Sequence, residues 1–138
     1  MTASGLFSIR EVWSGGKGVD LTGQRVLVVE DEVLVAATIE WELTVAGAEV
    51  VGPAYTVEEA LVYASHEAIH VAVLDINLLG KKVWPVAEVL QRRGVPYVFA
   101  SANAFGADAV PGPFAAAPRF DKPVSINAML KTLASLAA

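Results

Sequence analysis

Cysteine is absent from all 138 residues. Its absence excludes disulfides, thiolate nucleophiles and zinc–thiolate centres together, and with them the small secreted scaffolds that depend on bridges. The expected compartment is the cytoplasm. Charge is scarce as well: 18% of residues carry it, 15 acidic against 10 basic, for a net charge of -5. A DNA-binding surface needs clustered Lys and Arg to displace phosphate counterions, and no such cluster is present. Long apolar runs are also missing. The longest, Val33 to Ile39 with Thr38 interrupting it, falls far short of the ~20 residues that span a bilayer. Met1 to Asp20 lacks both the basic start and the continuous apolar stretch of a signal peptide, so no membrane association is expected. There is no internal repeat and no low-complexity tract. What is present is 54% apolar residues, ample for a core, in a length close to the roughly 150 residues of one domain.

Residues 1–24 contain two glycine-bearing stretches around the mixed segment Leu6 to Trp13, and read as a flexible N-terminal arm or linker, with residues 25–138 forming the domain. From Arg25 onward, short β-branched runs alternate with segments of helical period, the pattern of repeated βα units. Val26 to Val29 is a continuous run suited to a strand covered on both faces. Val33 to Ala46 places Val35, Ile39, Leu43 and Ala46 on one helical face, and Leu34, Trp41 and Val45 on a second apolar stripe. Glu49 to Pro53 predicts a second strand. Thr56 with Glu59 is a capping box opening a helix with Val57, Ala60, Leu61 and Ala64 inward. Val71 to Leu74 is a third buried strand ending at Asp75. Val83 to Arg93 is a helix that tolerates Pro85 in its first turn, and Pro96 to Ser101 is a fourth strand. Ala102 to Pro118 holds too many Gly and Pro for an ordinary helix. A short strand at Phe120 and an amphipathic helix over Val124 to Leu136 complete the chain.

Such α/β alternation predicts an open, doubly wound parallel sheet of five strands, which places its sites at the carboxyl ends of the strands. The polar residues that interrupt the apolar runs fall there: Glu30 and Asp31 after strand one, Asp75 after strand three, Ser101 at the end of strand four, Lys122 beyond strand five. Carboxylates gathered in one crevice repel each other unless a cation lies among them, and an all-oxygen set favours a hard divalent ion, Mg²⁺ above all. Magnesium is usually completed by phosphate, and a lysine and a hydroxyl suit phosphoryl oxygens. The constellation reads as phosphoryl transfer, with an Asp carboxylate able to act as the nucleophile.

Taken together, Val26 to Glu32 (VLVVEDE), Leu74 to Leu78 (LDINL), Phe99 to Ala102 (FASA) and Phe120 to Pro123 (FDKP) resemble, in order and separation, the receiver domain of two-component response regulators. The resemblance covers about residues 25–137. It implies a flavodoxin-like sheet of order 2-1-3-4-5 and a phosphorylation-dependent signalling switch rather than a turnover enzyme. Asp75 would accept the phosphoryl group from a histidine kinase or histidine phosphotransfer protein. Asp31, Asp75, Glu30 and the backbone carbonyl of Asn77 would hold Mg²⁺, Lys122 would contact the phosphoryl oxygens, and Ser101 would swing toward them. The output would be contact with a downstream protein, and a homodimer is compatible with the pattern.

Two departures narrow the resemblance. The position three before the lysine, usually aromatic, is Arg119, with Phe120 one place later, and the fourth helix is expected to be reduced or missing. Both, with Val95 to Ser101 and the Lys122-Pro123 step, resemble the atypical stand-alone receivers that carry a Phe-Ala-Thr-Gly-type motif at strand four, Ser101 and Ala102 standing for its Thr and Gly. A rival reading is an Mg²⁺-dependent aspartyl phosphohydrolase, which typically has a second Asp two places after the first as acid and base; here that place is Asn77, which cannot transfer protons. A pseudo-receiver acting only as an interaction module is disfavoured by Asp75, Ser101 and Lys122. A flavin module is disfavoured by acids where flavin phosphate needs donors. Glu32, at the opening of helix one, suits the helix dipole whatever its function, and His66 and His70 read as surface or boundary residues.

Overall fold

The computed structural model describes residues 18–102, 109–122 and 125–138; the segment Leu6 to Trp13 lies outside them. The described residues form seven strands and four helices: β1 (Arg25–Val29), α1 (Val33–Val45), β2 (Glu49–Ala54), α2 (Val57–His66), β3 (Val71–Asp75), β4 (Asn77–Leu78), β5 (Lys81–Lys82), α3 (Trp84–Arg92), β6 (Tyr97–Ser101), β7 (Arg119–Asp121) and α4 (Ile126–Ala137). Five strands make one parallel sheet in the order β2-β1-β3-β6-β7. Counting main-sheet strands alone, this is the expected 2-1-3-4-5 arrangement.

Both faces of the sheet are covered, and the run Val26 to Val29 divides by parity as strand geometry requires. Leu27 and Val29 face α2 and α3, packing with Ala60, Ala64, Val86 and Leu90. Val26 and Val28 face α1 and α4, packing with Ile39, Leu43, Leu130 and Leu133. The stripe read as Leu34, Trp41 and Val45 divides: Leu34 and Trp41 are exposed, and Val45 is buried. The expected capping box forms, with Glu59 N–H donating to Thr56 Oγ1 at 3.1 Å, while the Glu59 carboxylate accepts from the N–H of Tyr55 at 2.8 Å.

Of the segment read as an arm, residues 18–24 are described, and they do not all stand free. Leu21 is fully buried in the α1–α4 core and its N–H donates to the Ala46 carbonyl at 2.8 Å. One apolar residue among polar neighbours carries no period, so the burial is not readable from the pattern.

Two local features position the site. The β1–β2 register shifts between Leu27 and Val29, where β2 passes through Gly52 at φ 96°. A side chain on Gly52 would lie 2.8 Å from Ala54 N and 3.1 Å from Val28 O, so this irregular edge requires glycine. Past the shift, Glu30 N–H donates to Ala54 O at 2.9 Å, fixing the backbone that carries the first acid. The second feature is the antiparallel hairpin β4–β5, paired Asn77 with Lys82 and Leu78 with Lys81. Leu79 and Gly80 form its two-residue turn, with φ 51° and 85°, the positive pair of a type I′ turn. The sequence did not announce this hairpin, because Leu is a poor residue for such a turn.

Where a fourth helix would ordinarily lie, the described residues 109–118 hold only a 3₁₀ turn, Gly112–Phe114. Phe114 stacks on Trp84 (5.9 Å, 15°), and Trp84 meets Phe99 edge-on at 5.6 Å. Aromatic contact thus anchors a segment too rich in Pro and Gly for helical hydrogen bonding.

Candidate functional site

The site is built at the carboxyl edge of the sheet. Extended chain ends there without strand partners, so β1 delivers Glu30 and Asp31, β3 delivers Asp75, β6 delivers Ser101, and the residue after β7 is Lys122. Lys122 N–H donates to Ser101 O at 2.9 Å, which sets the lysine beside the end of the neighbouring strand. Its Nζ lies 2.8 Å from Glu30 Oε1, 3.1 Å from Asp75 Oδ2 and 3.3 Å from Glu32 Oε1. The Lys122 side chain is 16% exposed, that of Glu30 2% and that of Asp75 6%. One ammonium therefore serves two buried carboxylates and one at the surface.

This balance is short of positive charge. Burial first, and then the Glu30 carboxylate, push the Asp75 carboxyl up to about 7, against the opposing pull of Lys122. For Lys122, burial alone would favour the neutral amine. The hydrogen bond to Glu30 and the charges of Asp75 and Glu30 outweigh it, so the ammonium is held above its ordinary range.

Asp31 stands beside this triad, half-buried, with Oδ2 accepting the Leu79 N–H at 2.9 Å. Glu30 Oε2 accepts the Glu32 N–H at 3.1 Å. Ligand oxygens from Glu30, Asp31 and Glu32 lie within 4.8 Å of one another. Such an all-carboxylate donor set, facing a buried acid at Asp75 with a single lysine to offset it, fits a hard divalent cation such as Mg²⁺. Asn77 opens β4 two places after Asp75, half-buried. Ser101 is buried at the end of β6. A cavity of about 510 Å³ opens beside Lys122 between α1 and α4, walled by Glu32, Val35, Ile39, Ala100 and Ile126.

No family model and no curated protein matches the chain. Solved structures do. SdrG from Sphingomonas melonis Fr1 is 38% identical over 83% of this chain and 97% of its own, with a TM-score of 0.71; a structure of SdrG in a BeF3-activated conformation is 37% identical, with a TM-score of 0.66 over 83% and 96%. The response regulator PhyR from Brucella abortus is 30% identical over 86% of this chain, which spans about half of PhyR (49%), with a TM-score of 0.69. The non-phosphorylated HemR receiver domain from Leptospira biflexa is 25% identical over 83% of this chain and 94% of its own, with a TM-score of 0.71. The chain belongs to the receiver domains of response regulators.

Within this receiver, the residues singled out by sequence divide into those in mutual contact and those adjacent. Glu30, Asp75 and Lys122 touch through the lysine. Asp31 reaches the site from the other side, bonded to the hairpin. Glu32, readable as a helix-end acid alone, also touches Lys122. Arg119, at the position where an aromatic is usual, turns back to donate to Ala115 O at 3.2 Å, and Phe120 packs into the α1–α4 core. Neither stands ready as an aromatic relay partner. The Leu79 N–H had no signal in the sequence, because backbone donors carry no residue code. His70 is a boundary residue whose Nδ1 accepts the Arg25 N–H at 2.8 Å.

Proposed function

We propose that the chain is a phosphorylation-driven switch in which Asp75 is the phosphoacceptor. One observation carries the reading: Lys122 Nζ bridges Asp75 and Glu30 in a buried crevice at the carboxyl edge of the sheet, where one charge is stabilised only with the help of another. A carboxylate oxygen of Asp75 attacks the phosphorus of a phosphohistidine on a histidine kinase or phosphotransfer protein. The new P–O bond forms as the P–N bond breaks, and the electron pair leaves with the imidazole. Hydrolysis of the acyl phosphate by water returns the carboxylate and inorganic phosphate.

Asp31, Asp75, Glu30 and the Asn77 carbonyl would hold Mg²⁺. When bound, the cation supplies positive charge for the phosphoryl oxygens and lowers the cost of ionising Asp75. Lys122 gives up part of its contact with the carboxylates to bind a phosphoryl oxygen. Ser101, at the end of the neighbouring strand, turns its hydroxyl toward the new group and draws on Ala102, converting a local charge change into a backbone rearrangement. With Arg119 and Phe120 otherwise engaged, the response passes to the segment anchored by Phe114. The exposed Val33, Leu34 and Trp41 of α1 supply apolar surface beside the site for a helix of the phosphodonor. Among the described residues no helix is long and apolar enough to cross a membrane, consistent with a cytoplasmic switch that signals through a downstream protein. The strand-four sequence Val95 to Ser101 and the Lys122-Pro123 step support placement among the stand-alone receivers with a Phe-Ala-Thr-Gly-type motif.

The test is labelling by acetyl phosphate with Mg²⁺, read by intact mass. The wild type gains one phosphoryl group, and Asp75→Asn gains none. Undiminished labelling of Asp75→Asn overturns the assignment.

A further inference from the structure

The hairpin between β3 and α3 holds an unusual residue in an unusual conformation. Leu79 has φ 51°, a left-handed backbone that branched and bulky side chains avoid. Burial does not repay it, since Leu79 is 71% exposed. What the conformation does provide is a direction: the Leu79 N–H points at Asp31 Oδ2, 2.9 Å away and 48 residues distant in the chain. The hairpin is held in place at three further points. Asn77 and Leu78 pair with Lys82 and Lys81, Val83 N–H closes onto Ile76 O at 2.9 Å, and Lys81 Nζ binds the Glu58 carboxylate at the start of α2. These contacts fix the turn against Asp31.

We propose that Leu79 is a positioning residue, a backbone latch that fixes the rotamer of Asp31 for cation binding. The inference rests on the reading of Asp31 as an Mg²⁺ ligand given above. A ligand carboxylate that is free to rotate must be ordered when the cation arrives; one oxygen already engaged by an amide leaves the other oriented, which is how outer contacts raise metal affinity. The coupling runs both ways: whatever draws Asp31 toward a cation or a phosphoryl group pulls on the hairpin, and the strain at Leu79 makes the turn the part that gives.

Two measurements test this, both by NMR on the whole chain. In the first, amide exchange is followed without Mg²⁺. The Leu79 amide, at an exposed turn, exchanges about tenfold or more slowly than an unprotected amide; protection is lost in Asp31→Ala and kept in Asp31→Asn, whose side-chain oxygen still accepts, while the Val73 amide in the sheet is unchanged. Exchange of Leu79 at the unprotected rate in the wild type overturns the latch. In the second, MgCl₂ is titrated and the amide shifts of Asp31 and Asp75 are followed. Gly80→Val cannot adopt φ 85° and carries the Leu79 N–H away from Asp31, so Mg²⁺ affinity falls about tenfold. Leu79→Gly keeps the donor, relieves the strain and binds at least as tightly as the wild type. A folded Gly80→Val that binds Mg²⁺ like the wild type overturns the latch alone; a wild type with no Mg²⁺-dependent shifts overturns the function proposed above.

Discussion

The two ends of the sheet use the same residue types to opposite effect. At the carboxyl end, Lys122 faces Glu30, Asp75 and Glu32, with Asp31 adjacent, and two of those acids are almost wholly removed from water. At the amino end, Arg25 binds Glu49 and Glu67 and the Ala68 carbonyl, but its acids are 67% and 45% exposed. Water solvates the lower cluster, so its excess acid costs little and its ion pairs contribute little. The upper cluster has no such relief. Its missing positive charge is stored as a raised affinity of Asp75 for a proton, or for whatever else can bring positive charge or consume the negative one. A structural ion-pair cluster and a reactive one thus differ less in composition than in where water can reach.

The sharpest way to break this contrast is to remove the upper cation. Lys122→Ala leaves the buried carboxylates of Glu30 and Asp75 without their cation, the situation that costs about 3–5 kcal/mol in buried pairs. Urea denaturation at neutral pH is expected to show a loss of that order, and a smaller one near pH 5, where Asp75 is protonated. A loss under about 1 kcal/mol at both pH values would mean that water reaches the crevice, and the contrast would fail.

Next in size is the acid itself. Asp75 has its carboxyl raised from the ordinary 3.8 to about 7 in the fold, so the folded state binds a proton more tightly than the unfolded chain. The stability this brings is fully present below pH 4 and is lost as pH rises through about 7. Asp75→Asn removes the ionisation and with it that downward slope. Asp75→Asn should therefore gain on the wild type as pH rises from 4 to 8, by at most about 4 kcal/mol, since the proton affinities of the folded and unfolded chain differ by about three tenfold steps and each step corresponds to about 1.4 kcal/mol. Parallel stability curves for the two proteins would place the raised affinity elsewhere.

Much of this was legible beforehand, for reasons that differ by residue. Val26 to Val29 and Val71 to Leu74 declare buried parallel strands because both faces demand apolar side chains, and an acid directly after such a run has no structural reason to be there. Asp75, Glu30 and Asp31 stand out on that logic, and Lys122 by its place just beyond the last strand. Features fixed by backbone geometry or by single contacts were not legible. The β4–β5 hairpin turns on Leu79 and Gly80, a pair without the usual Asn-Gly or Asp-Gly signal. The burial of Leu21 rests on one side chain beneath α1. Phe114 stacks on Trp84 from a distant part of the chain, and no local period encodes that. Periodicity reports which side of an element is dry; it does not report which backbone donor faces which carboxylate.

The smallest effects sharpen the comparison most, because they ask whether each end responds to its own ligand. Mg²⁺ at about ten times its dissociation constant stabilises a protein that binds it only when folded by roughly 1.4 kcal/mol, which for a domain of this size is a rise in Tm of a few degrees. The wild type should show that rise and Asp31→Asn should show far less of it. Glu49→Gln, at the opposite end, should change stability by no more than about 0.5 kcal/mol and leave the Mg²⁺ response intact, since a pair with a 67% exposed acid is already screened by water and salt. If Glu49→Gln blunted the Mg²⁺ response as Asp31→Asn does, the cation would be acting on the general surface charge of an acidic chain, and the carboxyl-end crevice would lose its claim to be a specific site.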